Sequence, residues 1–245
     1  MGSVIVITSG KGGTGKTSLA GGIGAALASR GRRVLCLDAD VGLRNLDIAL
    51  GMADAALMDF SDVMAGRCEL DRAVAPHPGI DGLYLLTAPL TLPADFAGEE
   101  GFRALLDRAR AAYDWVLIDA PAGIGDGFRL AVSGADRAIV VAVSDPASLR
   151  DAQRVVEAMQ GVSPVHLVVN RVRGRVLRRL GATIDDAMDA VGLPLLGLVP
   201  EDVQVVLAAG SGRPVCQVTR KGVAQAYANI ARRIEGDAVP LMRIW

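Results

Sequence analysis

Only three cysteines occur in 245 residues, and Cys36, Cys68 and Cys216 stand far apart with no C-x-x-C pair among them. That scarcity argues against a disulfide framework or a thiolate zinc site and reads the three thiols as small hydrophobes in a reducing compartment. The two histidines, His77 and His166, are isolated from other ligand-type residues, so neither suggests a metal centre. Aromatic residues make up 4% of the chain, and the formal net charge is -1. A near-neutral balance argues against a general polyanion-binding surface, and nucleic acid is not an expected partner. No apolar run approaches the ~20 residues of a membrane span, and no charged leader precedes a cleavable apolar stretch. The expected location is the cytoplasm.

What is plentiful is aliphatic. Half of the chain is apolar, with Ala, Val, Leu and Gly dominant, a mixture suited to a parallel sheet covered on both faces. Short β-branched or aliphatic runs predict strands at residues 4–9, 34–38, 83–87, 115–119, 138–142, 165–170 and 195–199. Helical patterns lie between them, at 19–28, 99–112, 147–159, 183–191, 202–209 and 221–233. This alternation predicts βαβ crossovers and an α/β, doubly wound, mostly parallel sheet with helices on both faces. One domain is expected over residues 1–236, followed by a short apolar tail at 237–245. In such folds, ligands gather at the carboxyl edge of the strands.

The first strand leads directly into Gly10-Lys11-Gly12-Gly13-Thr14-Gly15-Lys16-Thr17-Ser18. This segment fits G-x-x-x-x-G-K-[ST] in the required strand-loop-helix setting. Its glycines allow consecutive backbone N–H groups to face phosphate oxygens, and the helix that follows adds its positive dipole end. Lys16 is placed to reach the β- and γ-phosphates and Thr17 to offer a hydroxyl to Mg²⁺. A nucleotide with Mg²⁺ is therefore the expected ligand. The run Trp115-Val116-Leu117-Ile118-Asp119 ends a hydrophobic strand in an acid, the Walker B arrangement, with Asp119 expected to hold Mg²⁺ through water.

Lys11 is one lysine more than phosphate binding needs. The pattern Lys11-Gly12-Gly13-Thr14-Gly15-Lys16-Thr17 resembles the deviant Walker A motif of the MinD/ParA family of ATPases. That resemblance implies a P-loop NTPase fold, ATP hydrolysis, and a homodimer formed with ATP in which Lys11 reaches the facing subunit's nucleotide. Asp38-Ala39-Asp40-Val41-Gly42-Leu43-Arg44-Asn45-Leu46-Asp47 resembles the family's switch I. It implies that Asp38 orders the water shell of Mg²⁺ and that Asp40 positions or activates the attacking water. Ala120-Pro121-Ala122-Gly123-Ile124-Gly125 resembles switch II, with the Gly123 N–H a candidate γ-phosphate sensor. Residue by residue, the implied catalytic set is Lys11, Lys16 and Asp40, and the implied metal set Thr17, Asp38 and Asp119. Gly12, Gly13, Thr14, Gly15 and Ser18 complete the phosphate loop.

The adenine end has two candidates. Asn170-Arg171 closes a strand, where an amide can both donate to and accept from a purine edge. Pro200-Glu201-Asp202 resembles the family segment that closes over the base, and Asp202 is equally suited to ordinary helix capping.

The resemblance covers 4–240 and is strongest to the septum-positioning branch of the family. It implies a MinC-like inhibitor and a MinE-like or equivalent activator as partners, with the inner membrane face as a peripheral location. Residues 147–154 resemble a partner-binding helix of that branch. The alternatives are another spatial regulator of the family, for flagellar number or DNA segregation, or a protein that uses ATP only as dimer glue. Metal-cluster carriers with the same loop are disfavoured because no paired cysteines are available. The branch usually finishes in a basic amphipathic helix, whereas the chain stops at Leu241-Met242-Arg243-Ile244-Trp245. That remnant is too short and too poor in cations for a stable interfacial helix.

Overall fold

In the computed structural model, all residues are described except Asp54, Gln160 and Trp245. Expectations for the end of the tail at Trp245 therefore lie outside the described residues. The strands are β1 (Ser3–Thr8), β2 (Val34–Asp38), β3 (Ala75–Pro76), β4 (Leu83–Leu86), β5 (Trp115–Asp119), β6 (Arg137–Val143), β7 (Val165–Val172) and β8 (Leu195–Pro200). The helices are α1 (Lys16–Ala28), α2 (Leu46–Leu50), α3 (Phe60–Met64), α4 (Leu70–Ala73), α5 (Gly98–Ala112) and α6 (Asp126–Val132). They continue with α7 (Pro146–Ala158), α8 (Gly174–Leu180), α9 (Ile184–Val191), α10 (Gln204–Gly210), α11 (Val215–Val218) and α12 (Val223–Ile234).

One sheet runs in the order β3-β4-β2-β5-β1-β6-β7-β8. Every pairing is parallel except that of β3 with β4 at the edge. The doubly wound expectation holds. β3 and the short helices α2, α3, α4, α6, α8 and α11 are additions, each too brief to carry a readable periodicity.

Strand alternation divides the core in two. Val4 and Val6 of β1, with Leu35 and Leu37 of β2, pack under α3 to α9, while Ile5, Ile7, Val34 and Cys36 pack under α1, α2 and α10 to α12. Both faces of the central strands are therefore apolar, which is why the sequence shows unbroken aliphatic runs there instead of an in-out pattern. Phe60 and Phe102 meet edge-on at 5.6 Å in the first core. On the second, a Cβ at Gly22 would lie 2.0 Å from the Tyr227 ring, so α1 and α12 approach closely only because that position has no side chain.

The tail is pinned to the domain. Arg233 donates to the carbonyls of Val239 and Pro240, both at 2.8 Å through Nη2. Met242 and Ile244 pack against the two cores. Among the described residues, no helix is long and apolar enough to cross a membrane.

Candidate functional site

The site is assembled by register. Asp38 on β2 lies opposite Asp119 on β5, and Asp119 lies opposite Ile7 on β1, immediately before the phosphate loop. The parallel sheet thus brings two carboxylates and the glycine loop to one carboxyl edge, where the strand crossovers leave a crevice.

The loop itself is built as an anion cradle. Cβ atoms at Gly12 and Gly13 would meet nothing within 4 Å, so the inner side of the loop is open. Gly15 has φ of 92°, and a side chain there would run into the Asn170 amide at 2.3 Å. α1 starts at Lys16 with no side chain capping its first turn. Its free N–H groups and positive end therefore face the open loop, the arrangement that accepts phosphate oxygens. Lys16 is 8% exposed. Burial lowers its pKa, while Asp119 first and then Asp40 oppose that shift.

The carboxylates show what this edge lacks without a cation. Oδ1 of Asp119 is buried and, among the described residues, has no hydrogen-bond partner. Burial, reinforced by Asp38, pushes its carboxyl up to about 7, against the Thr17 hydroxyl and Lys16. Burial likewise pushes Asp38 up to about 6. Two adjacent acids held this way favour a divalent cation. Among the described residues no cluster of three or more His, Cys, Asp or Glu could hold a metal alone. Mg²⁺ keeps water and takes one or two protein oxygens together with phosphates, so the strand-end acids Asp38 and Asp119 beside the phosphate loop suit it. The residues fit ATP with Mg²⁺, with Thr17 and Asp119 the groups that would hold the metal.

This linkage has a measurable sign. Because the folded-state carboxyls sit above the ordinary Asp range, they favour folding at low pH and lose that contribution as pH rises through about 6 and 7. In EDTA and without nucleotide, we expect Asp119→Asn to melt higher than the parent at pH 8, with the gap closing toward pH 4. Adding Mg²⁺ and ATP is expected to reverse the order at pH 8, since only the parent gains the metal. Thermal melts across that pH range check both halves, and an Asn variant that melts lower throughout would contradict them.

The switch segments are tied down here. Oδ1 of Asp38 accepts from the Asp40 N–H at 2.9 Å, and its Oδ2 accepts from the Leu46 N–H at 3.0 Å. Asp38 thus shapes the loop that carries Asp40 as well as neighbouring Asp119. Asp40 is half-buried, and burial raises its pKa while Lys16 lowers it. The Gly123 N–H already donates to the Ser9 carbonyl at 2.9 Å. It can serve a γ-phosphate only after that bond opens.

At the adenine end, the Asn170 Nδ2 donates to the Thr14 carbonyl at 2.7 Å and its Oδ1 accepts from the Arg171 N–H at 2.8 Å. Asn170 therefore braces the phosphate loop, with one N–H and one lone pair left for a base. Arg171 is exposed and holds a left-handed φ of 51°. Pro200 ends β8, and Glu201 is paired with Arg173. The Asp202 carboxylate is spent on capping, accepting from Gln204 N at 3.0 Å and Val223 N at 3.1 Å.

One residue escaped the sequence reading. Asp145 caps α7 by accepting from the Ser148 N–H at 3.0 Å, and it also holds the Lys11 ammonium at 3.4 Å. The Asp-Pro pair at 145–146 signals a helix start, but nothing in sequence spacing links it to Lys11, 134 residues away. A hollow of about 780 Å³ between α1 and α12 lies away from this chemistry. Arg30 and Arg232 on its wall are already paired with Glu235 and Asp237.

Known proteins resemble this chain over nearly its whole length. The model of the CobQ/CobB/MinD/ParA nucleotide-binding domain matches residues 5–215. The septum site-determining protein MinD of Bacillus subtilis (strain 168) is 40% identical over 247 residues, 98% of this chain and 92% of that protein. The chain superposes on the MinC:MinD cell division protein complex of Aquifex aeolicus with a TM-score of 0.90 and 36% identity, covering 98% of each chain. MinD from Pyrococcus horikoshii OT3, complexed with Mg-ADP, gives a TM-score of 0.83 at 29% identity, over 96% of this chain and 97% of that one. With the family model matched over residues 5–215 and a 40%-identical relative aligned over 98% of this sequence, the chain belongs to the CobQ/CobB/MinD/ParA family of nucleotide-binding proteins.

Proposed function

We propose that this protein is a MinD-type ATPase that dimerises with ATP, regulates placement of the division septum, and is reset by hydrolysis. The observation that carries the reading is the lysine pair in one loop. Lys16 is buried beside Asp119 and Asp40, while Lys11 points outward and is 41% exposed. One lysine suffices for the phosphates in cis, and the other, held at the surface by Asp145, can serve a facing subunit once that ion pair opens. The full-length similarity to septum site-determining relatives supports the biological role.

The surface around the site suits a second copy. Leu43, Ile48, Ile124, Val206 and Leu207 are exposed at the carboxyl edge. Ile48 also joins Thr17, Ser18 and Ala208 around a cavity of about 180 Å³. Apolar residues collected at one edge next to a charged cleft are the anatomy of an interface whose core is dry and whose centre is ionic.

Hydrolysis follows as in-line attack of water on the terminal phosphoryl group, where catalysis rests on positioning and charge stabilisation. Asp40 orients and deprotonates the water, while Lys16 and, in the dimer, the facing Lys11 stabilise charge on the transferred group. Mg²⁺ held at Thr17 and Asp119 supplies further positive charge when bound. A MinC-like protein is the expected partner, as in the Aquifex aeolicus complex. A MinE-like activator is the expected trigger of turnover.

Lys11 must leave Asp145 before it can reach across. We therefore expect Lys11→Ala to bind ATP as a monomer and to lose ATP-dependent dimerisation. Asp145→Asn, which frees Lys11, is expected to dimerise at up to about fivefold lower protein concentration, the modest scale of a half-exposed ion pair. Sedimentation equilibrium with ADP and with ATP plus Mg²⁺ reads both. A Lys11→Ala protein that dimerises like the parent would remove the trans-lysine mechanism.

A further inference from the structure

The hollow between α1 and α12, about 780 Å³, takes no part in the nucleotide chemistry, yet it has the size of a small-molecule site. Ala26 of α1, Ala224 and Ala228 of α12, and Ile80 in the turn between β3 and β4 give it carbon surface. Three guanidiniums line it as well. Arg30 is matched by Glu235 and Asp237, and Arg232 by Asp237, whereas among the described residues Arg220 has no carboxylate partner. Arg220 is exposed on the loop ahead of α12. Asp81 adds one acid to the same lining, which opposes a polyphosphate and leaves Arg220 able to take a single negative charge.

The hollow shares a wall with the nucleotide site's surroundings. Gly22 and Tyr227 line it, and both also line the cavity of about 180 Å³ that touches Thr17 and Ser18 at the start of α1 and Ile48 of α2. Tyr227 is 2% exposed, and a Cβ at Gly22 would lie 2.0 Å from its ring. A ring packed this closely cannot yield to a molecule on one side without pressing on what lies at the other.

We infer that this hollow is an effector site for a small aromatic molecule carrying one negative charge, and that Tyr227 relays its occupancy to the phosphate loop. The rings lie against the alanine methyls, and the anionic group pairs with the Arg220 guanidinium. Side walls of methyl groups leave flat helix faces, which suit a planar ring system. An uncharged ring system of equal size gains the walls and forgoes the guanidinium. Binding at the hollow needs no nucleotide, whereas the relay rests on ATP binding at the phosphate loop as proposed above.

The test is fluorescence titration of the full chain, without nucleotide, with anilinonaphthalene sulfonate and with its uncharged analogue phenylnaphthylamine. Arg220→Gln is expected to weaken the sulfonate roughly tenfold and to leave the analogue unchanged. Ala228→Trp, which fills the hollow, is expected to weaken both. Cys216 lines the hollow and is half-buried, so the parent carries its own reporter. Saturating sulfonate is expected to slow alkylation of Cys216 by iodoacetamide several-fold while Cys68 reacts as before. Calorimetric titration with ATP and Mg²⁺ then reads the relay. We expect saturating sulfonate to shift ATP affinity by about twofold or more, ATP to shift sulfonate affinity by the same factor, and both shifts to vanish in Arg220→Gln. Equal sulfonate affinity in the parent and Arg220→Gln, or Cys216 alkylation indifferent to the probe, overturns the inference. Probe binding at the hollow that leaves ATP affinity unchanged overturns the effector role. Protection of Cys216 in a chain that fails to bind ATP supports the site and counts only against the nucleotide reading.

Discussion

Lys16→Ala is expected to lower ATP affinity roughly a hundredfold or more while leaving the fold intact. The lysine supplies charge-assisted hydrogen bonds to phosphate oxygens, the strong class of such bonds in a partly dry site. Its removal also leaves Asp119 and Asp40 facing the incoming polyanion uncompensated, so repulsion adds to the lost attraction. Stability should move differently. Burial disfavours the Lys16 ammonium in the free protein, so the variant is expected to melt at or above the parent's Tm without nucleotide. Calorimetric titration with ATP and Mg²⁺, next to thermal melts without them, separates the two effects. Parental affinity in a folded Lys16→Ala protein would remove the phosphate loop from the mechanism.

Asp40→Ala is expected to bind ATP and dimerise yet slow hydrolysis about 10² to 10⁴-fold, the scale of a lost general base. The substitution is clean because the loop depends on the Asp40 backbone N–H, which donates to Asp38 and survives in alanine. The trapped dimer should persist in light scattering long after the parent has turned over its nucleotide. A pH profile adds an independent readout. A base must be deprotonated to act, and burial raises the Asp40 pKa, so the parent's rate should fall on the acid side from above the ordinary Asp range. That limb should vanish in Asp40→Asn. Turnover by Asp40→Ala at the parental rate would assign the attacking water to another group.

The fold was legible where runs were long enough to carry a period. β2 and β5 fall on the bounds expected from sequence, because each is an aliphatic run closed by an acid. β6 and β7 extend beyond the expected ends, since pairing with a neighbouring strand continues past the apolar residues. α8 was not expected at all. Its arginines obscure the apolar face, and Leu177 alone anchors it.

Local chemistry in the sequence by itself determined the nucleotide loop, the strand-end acids, the alternation that demands a parallel sheet, and through them the family. These features are contiguous, so a few residues specify them. Which groups meet was decided only by tertiary structure. Register set Asp38 beside Asp119, and the pairing of β1 with β6 brought Lys11 to Asp145. The close packing of β7 against the loop turned Asn170 from a free base reader into a brace for Thr14. Each of these contacts joins residues far apart in the chain, and their distances are fixed by sheet order and pairing, which no local spacing encodes.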